Sequence, residues 1–247
     1  MLGQLAQKLK SFGGPPPVLT NDDTFVRQSR LGKVIPPFRK TFDYPGEYIN
    51  QQHEYYSSCP VYRAQIQLDI EGSLRPEDAL KLYEMSYFAK GDVLELGTSF
   101  GLSTSILSQA NRDSGWRKKI ESVDLDPSCV EQAQRNLAER GLSKNVNISV
   151  SDAGSFCQQM VNSRRAFSFA FIDHAHSYGA MHPVCVLLNS LIMRGGFCLF
   201  HDYNDKRNNN SDDTDYDVVR AVQDGLGSSY FEFYGMFGCT GLFRKKP

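Results

Sequence analysis

Carboxylates and imidazoles recur in this chain just past short apolar runs, a spacing that brings ligand-binding and proton-moving groups to one place. Asp92-Val-Leu-Glu-Leu-Gly-Thr-Ser-Phe-Gly101 delivers Glu95 into a turn with glycines at 97 and 101. Glycine there lets the main chain approach a bound group with no Cβ in the way. Ser122-Val-Asp-Leu-Asp126 puts Asp124 at the tip of a second run, where a carboxylate can accept both hydrogen bonds of a ribose diol. Ser151-Asp-Ala-Gly154 offers Asp152 to an exocyclic adenine amine. Phe171-Ile-Asp-His-Ala-His176 and Leu199-Phe-His-Asp202 each add acid and imidazole, the side chains that transfer protons or hold divalent cations.

These groups need elements to position them. Strand-like runs at Asp92–Leu96, Ile120–Asp124, Val146–Ser151, Phe167–Asp173 and Gly196–His201 alternate with helical patterns at Leu102–Ala110, Ser128–Arg140, Ala153–Asn162 and Gly179–Met193. That alternation predicts an α/β fold, a doubly wound parallel sheet covered by helices on both faces. In such sheets ligands bind outside the carboxyl ends of the strands, where the polar groups above fall. Tyr230–Tyr234 and Thr240–Arg244, joined by Gly235-Met-Phe-Gly238, predict a terminal antiparallel hairpin. Plainer readings stand beside these. Glycine marks any strand-to-helix turn, and Asp126 before Pro127 suits a helix cap. His182 before Pro183 suits packing at the start of a helix, and His53 has no partner nearby in sequence.

Upstream, residues 1–41 read as an N-terminal extension. Leu2, Leu5 and Leu9 can share a helix face near Lys8 and Lys10, and Gly13-Gly-Pro-Pro-Pro17 then stops any helix. A frayed terminus is the plain reading, a membrane-touching or partner-docking helix the sharper one. Residues 42–73 are rich in aromatics (Phe42, Tyr44, Tyr48, Tyr55, Tyr56, Tyr62) and form either a lid over a pocket or a cover for one edge. Ser73 is expected to cap the next helix, and 74–247 to form the main domain.

The formal net charge is -1, so no overall basic field recruits nucleic acid or an anionic membrane. The pairs Lys118-Lys119 and Arg164-Arg165 are expected on solvated surfaces. Six dispersed cysteines without a C-x-x-C pair, and no apolar leader, predict a reduced, cytoplasmic setting. No run approaches the ~18 apolar residues of a membrane span.

Taken in order, Glu95-Leu-Gly-Thr-Ser-Phe-Gly101, Val123-Asp-Leu-Asp-Pro127, Ser151-Asp-Ala153, Phe171–Tyr178 and Arg194–Tyr203 resemble the class I S-adenosylmethionine-dependent methyltransferases over roughly residues 74–245. Within them the chain is most similar to catechol-type and bacterial small-molecule O-methyltransferases. The resemblance implies a Rossmann-like, seven-stranded sheet, mostly parallel with an antiparallel C-terminal strand. A dinucleotide dehydrogenase would want G-x-G-x-x-G, which Thr98 and Ser99 interrupt.

It also implies roles. Glu95, Gly97, Thr98, Ser99 and Gly101 would hold the methionine end, Asp124 with Leu125 the ribose region, Asp152 and Ala153 the adenine, with Asp173 and His174 against the cofactor. His176 is the first candidate for general base and His201 the second. Catechol-type enzymes place Mg²⁺ on acids ending the fourth and fifth strands, which here are Asp173 and His201-Asp202. The histidine shifts preference from Mg²⁺ toward Mn²⁺ and similar ions, and the alternative is that Asp202 orients a histidine without metal. The polar run Asn204–Asp215 is a candidate lid or acceptor loop, or a plain surface loop, and its acids lack EF-hand spacing. The expected partner is a small-molecule acceptor, with no nucleic acid or stable membrane association and homo-oligomerisation left open. The competing readings are a non-catalytic cofactor-binding scaffold and a protein or N-methyltransferase.

Overall fold

The structure, a computed structural model, describes residues 38–210, 213 and 215–247. The expected helix near the start and the Gly13–Pro17 linker lie outside them. Helix α1 (Gln51–Ser58), a short hairpin β1 (Val61–Tyr62) and β2 (Gln65–Ile66), and helix α2 (Pro76–Phe88) precede the sheet. Then β3 (Val93–Leu96), α3 (Leu102–Asp113), β4 (Ile120–Asp124), α4 (Pro127–Glu139), β5 (Val146–Val150), α5 (Ala153–Asn162), β6 (Phe167–Ile172), α6 (Tyr178–Leu191) and β7 (Ile192–Phe200) alternate. A 3₁₀ turn at Lys206–Asn209, helix α7 (Val218–Gly225), β8 (Phe231–Phe237) and β9 (Thr240–Lys245) complete the chain.

The sheet has seven strands in the order β5-β4-β3-β6-β7-β9-β8. β9 alone runs against the others, pairing antiparallel with both β7 and β8. β3 and β6, buried along their whole length, are adjacent and parallel at its centre. Strand order reverses there, so the tips of β3 and β6 frame the crevice. One apolar layer joins α2 and α3 to the sheet; α5, α6 and α7 build the other.

Several local expectations are corrected. Ser73 does not cap α2. Arg75 does, with Pro76 fixing the first helical position and Asp78 Oδ2 accepting the Arg75 amide at 2.9 Å. β8 continues through Gly235 with a bulge, so its turn tightens to Gly238 and Cys239. Lys118 is not on a solvated surface, because its ammonium donates to the Ser86 and Tyr87 carbonyls at the end of α2. His182 lies within α6, stacked on Tyr178, and Pro183 is interior to that helix. His53 is a core residue: Nδ1 accepts the Ile49 amide and Nε2 lies 3.0 Å from the Leu80 carbonyl.

Most aromatics of the 42–62 segment pack against α2, with Phe42 and Tyr44 both stacked on Phe88. The segment is fastened by fully buried charges: Lys81 reaches the Arg39 carbonyl, Thr41 and Glu84, while Glu84 accepts the Thr41 and Phe42 amides. Tyr55 and Tyr62 stay exposed, Tyr62 beside the crevice.

Candidate active site

Two adjoining cavities open over the carboxyl ends of β3 to β6. One, about 310 Å³, is lined by Gly97, Asp124, Leu125, Asp152, Ala153 and the 173–176 segment. The other, about 490 Å³, shares Gly97, Asp124 and Asp173 and extends past Thr98–Phe100 to Tyr62 and the 65–74 segment.

The turn after β3 explains its own glycines. A Cβ on Gly97, whose φ is +97°, would lie 2.0 Å from the Asp173 carbonyl oxygen. Close passage of the β3 and β6 tips therefore demands glycine at 97 whether or not a ligand lies above it. Gly101, at φ +89°, similarly presses on Ala133 and Leu137 of α4. Glu95 lies beneath the cavity floor. Its Oε2 accepts Thr104 and Ser122 hydroxyls at 2.5 Å each, and Ser122 also meets Thr98 at 2.6 Å. Among the described residues its Oε1 has no hydrogen-bond partner, and burial pushes the carboxyl up to about 7.

Asp124 is held by two amides, Ser99 N on Oδ2 at 2.7 Å and Asp126 N on Oδ1 at 3.0 Å. Asp152 caps α5 through Oδ1 while lining the cavity, and the Ser155 amide keeps its carboxyl below the usual range. Leu125 is an apolar side chain left 72% exposed at the rim. His174 lines the same wall. Burial lowers its ring to about 4, so it is neutral, and Nε2 is enclosed without a partner.

Beyond this wall the acids and imidazoles gather. His176 Nε2 is 2.8 Å from Asp202 Oδ2 and 3.8 Å from Asp173 Oδ1. The nearer oxygen lies off the ring's N–H direction, so the contact is an ion pair rather than a formed hydrogen bond. His201 Nδ1 lies 3.2 Å from Asp173 and 3.4 Å from Asp202, and its Nε2 3.7 Å from Asp78. Asp173 and Asp202 raise the His176 imidazole to about 9. Burial works against charge on His201, yet Asp173 and its neighbours hold it well above the ordinary value. Burial alone would raise Asp202, but His176 and His201 outweigh it and keep the carboxylate ionised. His201 is set back from the crevice and lines neither cavity; His176 lines the first. Asp173, His176 and Asp202 each bring a donor atom within 4.8 Å of the others, as do His201, Asp202 and Cys239. Asp202 sits in the left-handed region at φ +57°, a strained conformation for a non-glycine residue.

Residues 94–203 match the family described as "Methyltransferase domain", a span that contains every strand tip just described. An O-methyltransferase from Bacillus cereus, solved with S-adenosylhomocysteine, aligns over 96% of this chain and 100% of its own at 15% identity and TM-score 0.58. TomG of Streptomyces achromogenes, an O-methyltransferase of tomaymycin synthesis solved with S-adenosylmethionine, aligns over 70% of this chain and 82% of its own (16% identity, TM-score 0.56). Cofactor-bound Rv0187 from MTB aligns over 78% and 87% (18% identity, TM-score 0.56). At such identities the likeness is one of fold. Residues 94–203 thus resemble a methyltransferase domain, and the fold is the Rossmann-like one of these S-adenosylmethionine-dependent enzymes. No curated protein matches its sequence.

The site also gathers residues that sequence reasoning missed. Asp78, from α2, accepts the Arg75 and Cys239 amides and faces His201, tying a helix start and the β8–β9 turn to the acid–imidazole group. Tyr216 stacks on His176 with ring centroids 5.0 Å apart, and Arg207 caps its other face at 3.9 Å. Neither residue carries a local motif; only the topology brings them in.

Proposed function

We propose that this chain is an S-adenosylmethionine-dependent methyltransferase that methylates a hydroxyl oxygen of a small molecule, with His176 taking the proton. The observation that carries the reading is His176 itself, on the wall of the cavity that holds Asp124 and Asp152, clamped beside two carboxylates. The residues present suit the cofactor. Glu95 Oε1 and His174 Nε2 are enclosed polar atoms without partners, and the Asp124 carboxylate is pre-aimed by two amides. When bound, S-adenosylmethionine supplies an activated methyl on a sulfonium. The chain aligns and excludes water: Asp124 orients a ribose diol, Asp152 and Leu125 flank the base, and the Gly97–Ser99 main chain faces the methionine end.

A base held near pH 9 is mostly imidazolium at neutral pH, so its free form grows as pH rises. A second reading rests on the donor atoms of Asp173, His176 and Asp202 lying within 4.8 Å of one another. Two carboxylates and an imidazole suit a divalent ion such as Mn²⁺ or Mg²⁺. Such an ion would lower the pKa of an acceptor hydroxyl, and His176 would then hold the ion rather than take the proton.

The readings separate in one experiment, a panel of hydroxyl-bearing and amine-bearing acceptors assayed with chelator or with added Mg²⁺ or Mn²⁺. If His176 is the base, chelator leaves activity intact, kcat/KM climbs toward pH 9, and His176→Ala costs about 10²- to 10⁴-fold in kcat with cofactor affinity little changed. Activity abolished by chelator and restored by metal assigns His176 to the ion. Turnover of amines alone would overturn hydroxyl methylation.

A further inference from the structure

The net charge of -1 conceals a separation of charge across the sheet. The carboxyl edge carries Asp124, Asp126, Asp152, Asp173 and Asp202. At the amino edge, in strand order, come Lys144 before β5, Arg117 and Lys119 before β4, Lys90 before β3, Arg164 before β6 and Arg194 at the start of β7. All six are exposed, and their side chains enter no hydrogen bond or ion pair among the described residues. Five strands put this row across about 20 Å. The acids nearby are largely answered: Asp92 and Glu121 both pair with Arg165, and Glu232 lies 3.8 Å from Arg244. Glu139, 3.7 Å from Arg140, remains exposed.

The same edge projects large apolar side chains. Trp116 is 58% exposed, Tyr230 58% and Met193 41%. Each is held out by local structure. Lys118 is anchored inward and Gly115 turns at φ +71°, so Trp116 and Arg117 stand on a short outward loop. The β6–β7 register jumps from Phe167↔Ile192 to Phe169↔Phe197, so Met193 and Arg194 bulge from the sheet end. Tyr230 precedes β8, two strands further along the sheet, with its carbonyl accepting the Lys246 amide.

We propose that this amino edge docks on an anionic phospholipid surface. Cations in a row meet the headgroups, and Trp116, Tyr230 and Met193 enter the interfacial layer, where tryptophan and tyrosine concentrate. Reversible peripheral binding needs two such signals together, and this edge holds both. The acidic opposite edge is repelled from the surface, so the active-site crevice faces water and its acceptor arrives from solution. The absence of an overall basic field concerns the net charge, whereas this docking depends on how the charge is distributed.

Trp116 is the chain's single tryptophan, so its emission reports this edge alone. The full chain is sedimented with phosphatidylcholine vesicles and with vesicles carrying about 30% phosphatidylserine, alongside a single-stranded oligonucleotide competitor. Expected are co-sedimentation with the anionic vesicles only, release as salt shortens the Debye length, and a shift of Trp116 emission to shorter wavelength. The triple variant R117E/K144E/R164E lowers the partition at least about tenfold. Absence of binding, binding without an emission shift, or an unaffected triple variant overturns the proposal. Tighter binding of the oligonucleotide, seen by Trp116 quenching, assigns the edge to nucleic acid instead. The salt and emission readouts use the unmodified chain, so the test stands even if the variant fails to fold.

Discussion

Asp124 illustrates how a side chain is made ready before any ligand arrives. Two main-chain amides fix both oxygens, leaving the outer lone pairs toward the cavity. Charge-assisted hydrogen bonds are worth about 1.5–3 kcal/mol each, so Asp124→Ala is expected to weaken S-adenosylmethionine binding at least about tenfold by calorimetry. A melting temperature measured in parallel checks that the Ser99 turn survives. Unchanged affinity would remove Asp124 from the cofactor site. This residue was legible in sequence because an acid at a strand tip has a fixed address in a parallel sheet. Asp173, His176 and Asp202 were legible for the same reason, and the structure does gather them. Asp78 and Tyr216 were not, since one sits in an ordinary helix start and the other follows a polar loop. His201 has the strand-end address that the sequence predicts, and its buried ring lies between Asp78 and Asp173 without lining either cavity.

At the level of elements, the alternation from β3 to β7 could be read because β3 and β6 are short runs buried on every residue. Helix α1 could not, being polar, eight residues long and dependent on an Asn50 cap. Nor could the strap ahead of it, whose attachment depends on charges that sequence patterning places on surfaces. Lys81 and Glu84, one helical turn apart on α2, are both fully buried and hold residues 39–42 by main-chain contacts. Removing one member of a buried pair leaves the other charge stranded, a loss of about 3–5 kcal/mol. Glu84→Ala should therefore lower the urea midpoint sharply, while the double change Lys81→Met with Glu84→Leu restores most of it. Burial already lowers the Lys81 ammonium to about 8, so neutralisation relieves part of the strain at alkaline pH. A Glu84→Ala chain as stable as the parent would show that the strap is held by its aromatics alone.

For the molecule as a whole, the perturbed groups favour acid over alkaline conditions. Glu95 is raised to about 7 when folded against an ordinary 4.5, so the folded state holds the extra proton and loses stability as pH climbs from 4.5 through 7. His176, raised to about 9 from 6.5, contributes stability that is complete below 6.5 and lost as pH passes through 9. Asp173 and Asp202 are depressed, so what they contribute is present above the ordinary 3.8 and lost only in stronger acid. Lys81 and Lys118, lowered to about 8, act in the opposite sense, but only between 8 and the ordinary 10.5. His53 and His174, lowered to about 4 by burial, also oppose them, but only from pH 4 through the ordinary 6.5, so between pH 7 and 8 Glu95 and His176 dominate. The urea midpoint of the chelated, ligand-free chain should thus fall from pH 7 to pH 8, with a smaller fall for His176→Gln. A midpoint that is flat or rising over that interval would mean that His176 is not held as an imidazolium between Asp173 and Asp202. The base reading, which needs the alkaline climb in kcat/KM, would fall with it.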